Sequence, residues 1–181
     1  MDSDSHNLRR IYKSATSGEG ELRALLQSMF LGELMAPPEE LWIVSPWVSN
    51  VVIVDNRAGS FDVVNPQWRH REIRLAEVVT GLMVAGCRFI LVTRPDEHNH
   101  TFLTRLTEMS EEAAVDDLLT VVVRPQLHTK GILTGRGLLL GSMNLTYSGL
   151  VLNDEVVEYD TDPASRANAR IAFSEYLKAD Q

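Results

Sequence analysis

The chain has 181 residues, 44% of them hydrophobic, so it is long enough for one domain with a sizeable core and short for two. Its net charge of −8 argues against whole-surface attraction to nucleic acid or to an anionic membrane, so a polyanionic substrate would need a local basic patch. The single cysteine, Cys87, cannot form an internal disulfide, and no apolar run approaches the roughly 20 residues of a membrane span. We expect a cytoplasmic single-domain protein that binds no membrane, with residues 1–18 as a flexible N-terminus.

The first elements predicted along the chain are a helix and two strands. An apolar stripe at helical spacing predicts a helix over residues 21–34, which Pro37-Pro38 ends. Continuous apolar runs predict strands at residues 41–45 and 51–54. The second strand enters a turn, and a hairpin is predicted through residues 61–64.

The middle of the chain predicts a crossover unit. Apolar positions from residue 72 to residue 85 indicate a second helix, which Gly86 closes at its carboxyl end. Residues 89–92 follow as another strand. Because a strand, a helix and a strand in this order favour parallel pairing, the fold class is α/β.

The last third predicts a short helix over residues 102–109, a buried strand over residues 118–123 and a hairpin that turns at residues 135–137. Asp162-Pro163 has the pattern of an N-cap followed by proline at the first helical position, and so begins a C-terminal helix. The residues expected to face the core from this last helix are Ala167, Ile171 and Leu177.

Two pairs of polar residues accompany the predicted hairpin. Residues two apart on a strand point to the same face, so His128 and Lys130 project together, as do Ser142 and Asn144 on the returning strand. The hairpin then brings the two pairs face to face. This inventory suits a phosphodiester, with His128 as nucleophile or acid and with Lys130 and Asn144 as donors to the non-bridging oxygens.

These segments, His-x-Lys and Gly-Ser-x-Asn, together resemble the signature motif of the phospholipase D superfamily. Asn153-Asp154-Glu155 is similar to that family's Asn-x-Glu segment, and residues 43–47 and 85–90 are similar to its first strand and to the start of the next. Gly135 stands where the family has an aspartate, and the hairpin is one residue shorter than the commonest spacing. The resemblance implies an α/β/α sandwich with a mixed, partly parallel β-sheet flanked by helices.

The resemblance also implies a mechanism in which two motifs build one site. One histidine attacks phosphorus and the other protonates the leaving oxygen, so a chain with one motif is expected to form a homodimer that uses His128 from both copies. Glu155 is expected either to orient a histidine ring or to be a surface carboxylate. Lys130 could otherwise be a solvated edge lysine, and Ser142 and Asn144 could be turn formers. No cofactor and no metal is expected, because lysines supply the positive charge.

The substrate stays open among three alternatives. Short family members with one motif and no membrane-binding segment resemble the nuclease branch, so hydrolysis of DNA or RNA is the leading interpretation. A lipid or another small phosphodiester is the second. The third is a binding or structural subunit without turnover, which the glycine at position 135 favours. A looser similarity to small phospholipase D-like proteins of DNA-modification and anti-phage gene clusters suggests other proteins of such a cluster as partners.

Three further features are candidates for a site. Trp47 ends the first strand, where an aromatic side chain either stacks on a base or fills the core. Arg69 and Arg71 belong to the densest basic patch, which either contacts phosphates or begins a solvated helix. His98 and His100 have the spacing of a metal pair, but no cysteine or carboxylate pair completes a tetrahedral set. We therefore interpret this segment as a mobile polar loop.

Overall fold

The computed structural model describes residues 8–14 and 16–178 of the chain. The strands in chain order are β1 (Leu8–Lys13), β2 (Glu40–Val44), β3 (Val52–Asp55), β4 (Glu72–Arg74), β5 (Arg88–Thr93), β6 (Leu119–Val123), β7 (Gly131–Leu133), β8 (Leu138–Gly141) and β9 (Glu155–Asp160). The helices are α1 (Glu19–Met35), α2 (Leu75–Val84), α3 (Glu97–Glu112) and α4 (Pro163–Ser174).

Seven of the strands form one mixed sheet in the order β1-β9-β8-β7-β2-β5-β6, and β3 pairs with β4 in a separate two-stranded sheet. β2, β5 and β6 run parallel to one another, whereas the pairs from β2 through β7, β8 and β9 to β1 are antiparallel. Because parallel neighbours need a long connection, α2 lies between β2 and β5 in the chain, and α3 lies between β5 and β6. The predicted parallel crossover is confirmed.

The alternation of side chains along β2 explains why helices cover both faces of the sheet. Leu41 and Ile43 belong to the larger core, to which α1, α2 and α3 contribute their apolar faces. Trp42 and Val44 point the other way into a smaller core that contains Phe173 of α4. A strand that is apolar on both faces needs cover on both, and the predicted α/β/α sandwich is confirmed.

The first half of the chain differs from prediction at three places. Residues 8–13 were expected within a flexible N-terminus, but they form β1 and pair with β9, while residues 1–7 lie outside the described part of the chain. Residues 61–64 form turns inside the connection of the β3–β4 hairpin rather than a returning strand. Residues 72–74 were expected to begin the second helix, but they pair with β3 as the strand β4.

The second half differs at its edge strand and its last helix. β6 is largely exposed rather than buried, because it lies at the end of the sheet and has a neighbour on one side only. The C-terminal helix was placed in the wrong rotation, since Ala167, Ile171 and Leu177 are all exposed. Phe173 is buried instead, against Trp42 at 6.2 Å between ring centroids, and this single large ring decides which face of α4 meets the sheet.

Cys87 packs as a small apolar side chain, as predicted. It is fully buried, and this burial raises the pKa of its thiol to about 12, with smaller contributions from the carboxylates of Glu33 and Glu40. Among the described residues, no helix is both long enough and apolar enough to cross a membrane.

Candidate active site

A cleft of about 720 Å³ lies at one end of the β7–β8 hairpin. Its lining residues are Pro46, Trp47, Arg94, His128, Thr129, Lys130, Leu140, Gly141, Ser142 and Asn144. The four polar residues of the two motif segments are therefore gathered at one place. The reason differs from the predicted strand alternation, because β7 begins only at Gly131 and β8 ends at Gly141. Both pairs lie in irregular segments that flank the same end of an antiparallel hairpin.

Two cations share this cleft. Lys130 is half-buried, and its Nζ donates to the carbonyl oxygen of His128 at 2.6 Å. Burial lowers the pKa of Lys130, the charge of Arg94 lowers it further, and Glu155 opposes the shift. Arg94 donates from Nε to the carbonyl oxygen of Leu127 at 2.7 Å, which fixes its guanidinium beside the segment that carries the histidine. Two like charges held together in a partly buried cleft favour binding of an anion.

Arg94 was missed by the sequence reasoning, although a signal was present. It directly follows β5, which is parallel to β2, and β2 leads into Pro46-Trp47. The carboxyl ends of adjacent parallel strands meet at one edge of a sheet, and this is where ligands bind in open α/β sheets. The basic patch that was chosen instead lies elsewhere.

Glu155 is buried at the start of β9, so it is not a surface carboxylate, and its partner in this chain is Ser142 rather than a histidine. Ser142 Oγ donates to Glu155 Oε2, and Asn153 Nδ2 donates to Oε1 at 3.4 Å. The Ser142 hydroxyl also accepts from the backbone N–H of Val156 at 3.1 Å. The ring of His128 is exposed, and in the described part of the chain no protein group forms a hydrogen bond with it. The imidazole is thus available to a ligand or to a second chain.

Asn144 is oriented by the end of β2. Its Oδ1 faces the hydroxyl of Ser45 at 3.5 Å, while that hydroxyl donates to Trp47 O at 2.8 Å and accepts from the Leu145 N–H at 3.2 Å. Because the acceptor oxygen of the carboxamide is directed at Ser45, the NH₂ group remains as the donor that faces the cleft.

Trp47 lines the cleft with 37% of its surface exposed, so it does not fill the core. Its indole Nε1–H donates to Asp96 Oδ2 at 2.9 Å, and the guanidinium carbon of Arg94 lies 5.7 Å from the ring centroid. The hydrogen bond from Trp47, followed by the one from the backbone N–H of His98, lowers the pKa of Asp96.

Residues 98–100 were predicted as a mobile loop, and this prediction is wrong because they lie in the first turns of α3. Asn99 is fully buried and joins two strand ends. Its Nδ2 donates to Pro46 O, Thr93 Oγ1 and Arg94 O at 2.9–3.0 Å, and its Oδ1 accepts from the Val48 N–H at 2.8 Å. Among the described residues, no group of three or more His, Cys, Asp or Glu side chains is arranged to hold a metal ion.

Arg69 and Arg71 were predicted to bind substrate, but neither is among the described residues that line the cleft. They lie in the connection between β3 and β4. Arg71 Nη2 donates to Glu77 at 2.6 Å, so its charge is already paired at the start of α2. The backbone carbonyl of Arg69 accepts from Asn56 Nδ2, which places this residue in the scaffold of the loop.

No family model matches the chain, and no curated protein matches it by sequence. Solved structures do match. The phospholipase D family member Nuc from Salmonella typhimurium is 9% identical, with a TM-score of 0.60 over 94% of this chain and 93% of that one. NucT from Helicobacter pylori is 11% identical, with a TM-score of 0.57 over 94% and 96%.

A third similar structure is TrmBL2, an archaeal chromatin protein with a novel mode of DNA binding. It is 8% identical, with a TM-score of 0.55, and the match covers 98% of this chain and 54% of that one. At these identities the likeness concerns the fold, and it extends over almost the whole of Nuc and NucT. The chain has the fold of the phospholipase D superfamily.

Proposed function

We propose that this chain is a metal-independent phosphodiesterase that hydrolyses nucleic acid at a site shared by two copies. The observation that supports it most is the cleft itself, where the exposed ring of His128 lies with two cations and an amide donor. The carboxylate of Glu155, which attracts the charge of Lys130, is buried and accepts from Ser142, and it is not among the described residues that line the cleft. The protein as a whole carries a net charge of −8, which makes this local cationic cluster more selective.

The reaction follows from these groups. A ring nitrogen of one His128 attacks phosphorus, and the bond from phosphorus to the leaving oxygen breaks as the other His128 donates a proton to that oxygen. Water then attacks the phosphohistidine while the second ring takes its proton, which releases a phosphomonoester and restores both rings. Lys130, Arg94 and the Asn144 amide donate to the non-bridging oxygens and stabilise the charge that grows on them.

A second copy is needed because the reaction uses two histidines. Among the described residues, His128 is the one histidine that lines the cleft. A twofold axis beside the open end of the hairpin would bring the same patch from both chains together. Each chain would then supply one ring, one Lys130 and one Asn144 to a single site.

A second candidate function is nucleic-acid binding without turnover, as a subunit of a larger system of the defence type. Two observations favour it: Gly135 replaces the aspartate of the family motif, and TrmBL2, a DNA-binding chromatin protein, shares the fold. This candidate keeps the cationic cleft and the dimer but predicts no phosphohistidine.

Mixed dimers test the shared site. The wild-type protein should scatter light as a species of twice the 20.3 kDa chain mass, and it should cleave a chromogenic phosphodiester in excess EDTA. After subunit exchange with His128→Ala chains, activity should follow the square of the wild-type fraction, because a heterodimer keeps one ring in a site that needs two. Exchange with His100→Ala, an exposed histidine of α3, should leave activity unchanged.

Three outcomes would contradict the proposal. A monomer at micromolar concentration excludes a shared site. Activity linear in the wild-type fraction shows that each His128 works alone. Loss of activity in EDTA with recovery on adding metal indicates a different chemistry, whereas a stable dimer that binds DNA and cleaves nothing supports the second candidate.

A further inference from the structure

Among the side chains that line the cleft, the indole of Trp47 is one that the proposed phosphodiester chemistry does not use. The guanidinium of Arg94, which also serves as a phosphate donor, lies over one face of this ring with its carbon 5.7 Å from the indole centroid. Both side chains line the cleft, and neither is fully buried. We call this pair the Trp47–Arg94 platform.

The platform is held in place before any ligand arrives. Trp47 is fixed by its hydrogen bond to Asp96, and Arg94 by its bond to Leu127 O. Beneath them, the buried Asn99 binds the backbone on both sides, at Pro46 O and at Arg94 O. Side chains that are already ordered lose little conformational entropy when a ligand binds, so such a surface is well suited to recognition.

Arg94 keeps hydrogen-bond donors that a ligand can use. Its Nε is engaged, but in the described part of the chain its two terminal nitrogens donate to no protein group. The anchor point, Leu127, immediately precedes His128. The guanidinium of the platform is therefore bonded to the residue next to the proposed nucleophile.

An exposed indole and a guanidinium plane beside a second cation match one kind of phosphodiester. Unpaired bases stack on Trp rings and on Arg guanidinium planes, and each base of a single strand is linked to a phosphate. In a duplex the faces of the bases are already stacked on one another. A lipid headgroup offers a phosphate but no ring to stack.

Resting on the proposed function, we propose that the Trp47–Arg94 platform is a stacking subsite for an unpaired base next to the scissile phosphate. The substrate class is therefore single-stranded nucleic acid. Stacking of the base places the neighbouring phosphate against Lys130 and His128, so the platform selects the substrate and also positions it.

Binding by protein that cannot cleave tests this separately from turnover. In a His128→Ala background, a labelled thymidine oligonucleotide in EDTA should bind more tightly than a blunt duplex of the same length. Trp47→Leu should weaken binding of the single strand by roughly 5- to 150-fold, whereas Trp47→Phe, which keeps a ring but not the bond to Asp96, should retain most of the affinity. Tyr12→Leu removes an exposed aromatic ring on β1 and should change nothing.

An abasic strand of equal length distinguishes stacking from general disorder of the cleft. Trp47→Leu should leave its affinity unchanged, because that strand offers phosphates without bases. The subsite is excluded if Trp47→Leu binds the thymidine strand as well as its parent does, if it weakens both strands equally, or if the duplex binds as tightly as the single strand. Absence of hydrolysis by wild-type protein would count against the proposed function and would leave these binding comparisons to be decided on their own.

Discussion

The β7–β8 hairpin turns at residues 134–137 against a buried carboxylate, whereas its other end opens into the cleft. At the closed end, Thr134 Oγ1 accepts from the backbone N–H groups of Arg136 and Gly137 at 3.2 and 3.0 Å. The carboxylate of Glu33, fully buried on α1, accepts from Arg136 N at 3.1 Å and from its Nη1 at 2.9 Å. Arg166 of α4 donates to Gly135 O, so helices from both faces tie down this turn.

At the open end, the polar side chains have fewer hydrogen-bond partners within the protein. His128 has no hydrogen-bond partner for its ring in the described residues, and Lys130 is partly desolvated beside a second cation. The stabilising contacts are therefore concentrated at one end of the hairpin and the proposed chemistry at the other, a division expected where a site is less stable than its scaffold.

The largest effect that we expect is a loss of activity without a loss of stability when Lys130, at the open end, is replaced. Lys130→Met should lower kcat/KM for a phosphodiester by roughly a hundredfold or more, because a donor to the transition-state oxygens is lost. The melting temperature should stay level or rise, since a half-buried charge repelled by Arg94 has been removed. A clear fall in melting temperature together with unchanged kcat/KM would show that Lys130 is a structural residue.

The closed end should show the opposite result. Arg136→Ala leaves the fully buried carboxylate of Glu33 without its ion pair, and we expect the free energy of unfolding to fall by about 3 kcal/mol. Arg9→Ala is the matched control, because its pair with Glu21 lies at the surface and should contribute under about 1 kcal/mol. Urea denaturation of both variants measures the difference, and equal losses would mean that the closed end is not a stabilising region.

Introducing the aspartate of the family motif at Gly135 should not increase activity. A Cβ at this position would lie 2.8 Å from Pro38 Cβ and 3.1 Å from Glu33 Oε2. Gly135→Asp adds a carboxylate against a buried carboxylate, so we expect a loss of about 2 kcal/mol and no gain in activity. Gly135→Ala isolates the steric part and should cost less. A stable and more active Gly135→Asp variant would show that the missing aspartate limits catalysis.

The sequence predicted the parts of the fold that depend on apolar pattern. The runs of β2 and β5 are buried on both faces, and such runs identify central strands without further information. The grouping of the polar residues at the hairpin was predicted from side-chain alternation along its two strands, and they do meet, although they lie outside β7 and β8. The apolar pattern did not predict which face of α4 is buried, because one large ring, Phe173, outweighs the smaller apolar residues around it.

The roles of buried polar residues were the main features that the sequence did not predict, although the pattern around some of them was informative. Glu33 occupies the position four residues after Met29 on the apolar stripe of α1, where a charged residue indicates a buried ion pair. Asn99 carries no such signal, because its four hydrogen bonds reach the end of β5, the residue that follows it and the segment after β2. Glu155 was expected either to orient a histidine or to be a surface carboxylate, and only the local path of the chain after β8 brings Ser142 to it.

The smallest effect that we expect is the pH dependence of the open end, where activity and stability should change in opposite directions. Because folding lowers the pKa of Lys130, its ammonium group loses the proton at a lower pH than the ammonium group of an ordinary lysine. We therefore expect activity to fall at a lower alkaline pH than an unperturbed lysine would give. The folded state then holds fewer protons than the unfolded state between the two pKa values, so the contribution of Lys130 to stability rises with pH while activity falls. The pH profile of kcat/KM measures the fall in activity, and the difference in unfolding free energy between wild type and Lys130→Met measures the rise in stability.

Three variants test whether Lys130 is the group that titrates. Arg94→Gln removes the repulsion and should move the alkaline limb of the pH profile to higher pH, whereas Glu155→Gln removes the opposing charge and should move it to lower pH. Lys130→Arg should flatten the limb, because a guanidinium keeps its proton. Limbs that stay fixed in all three variants would show that another group limits the reaction in alkaline solution.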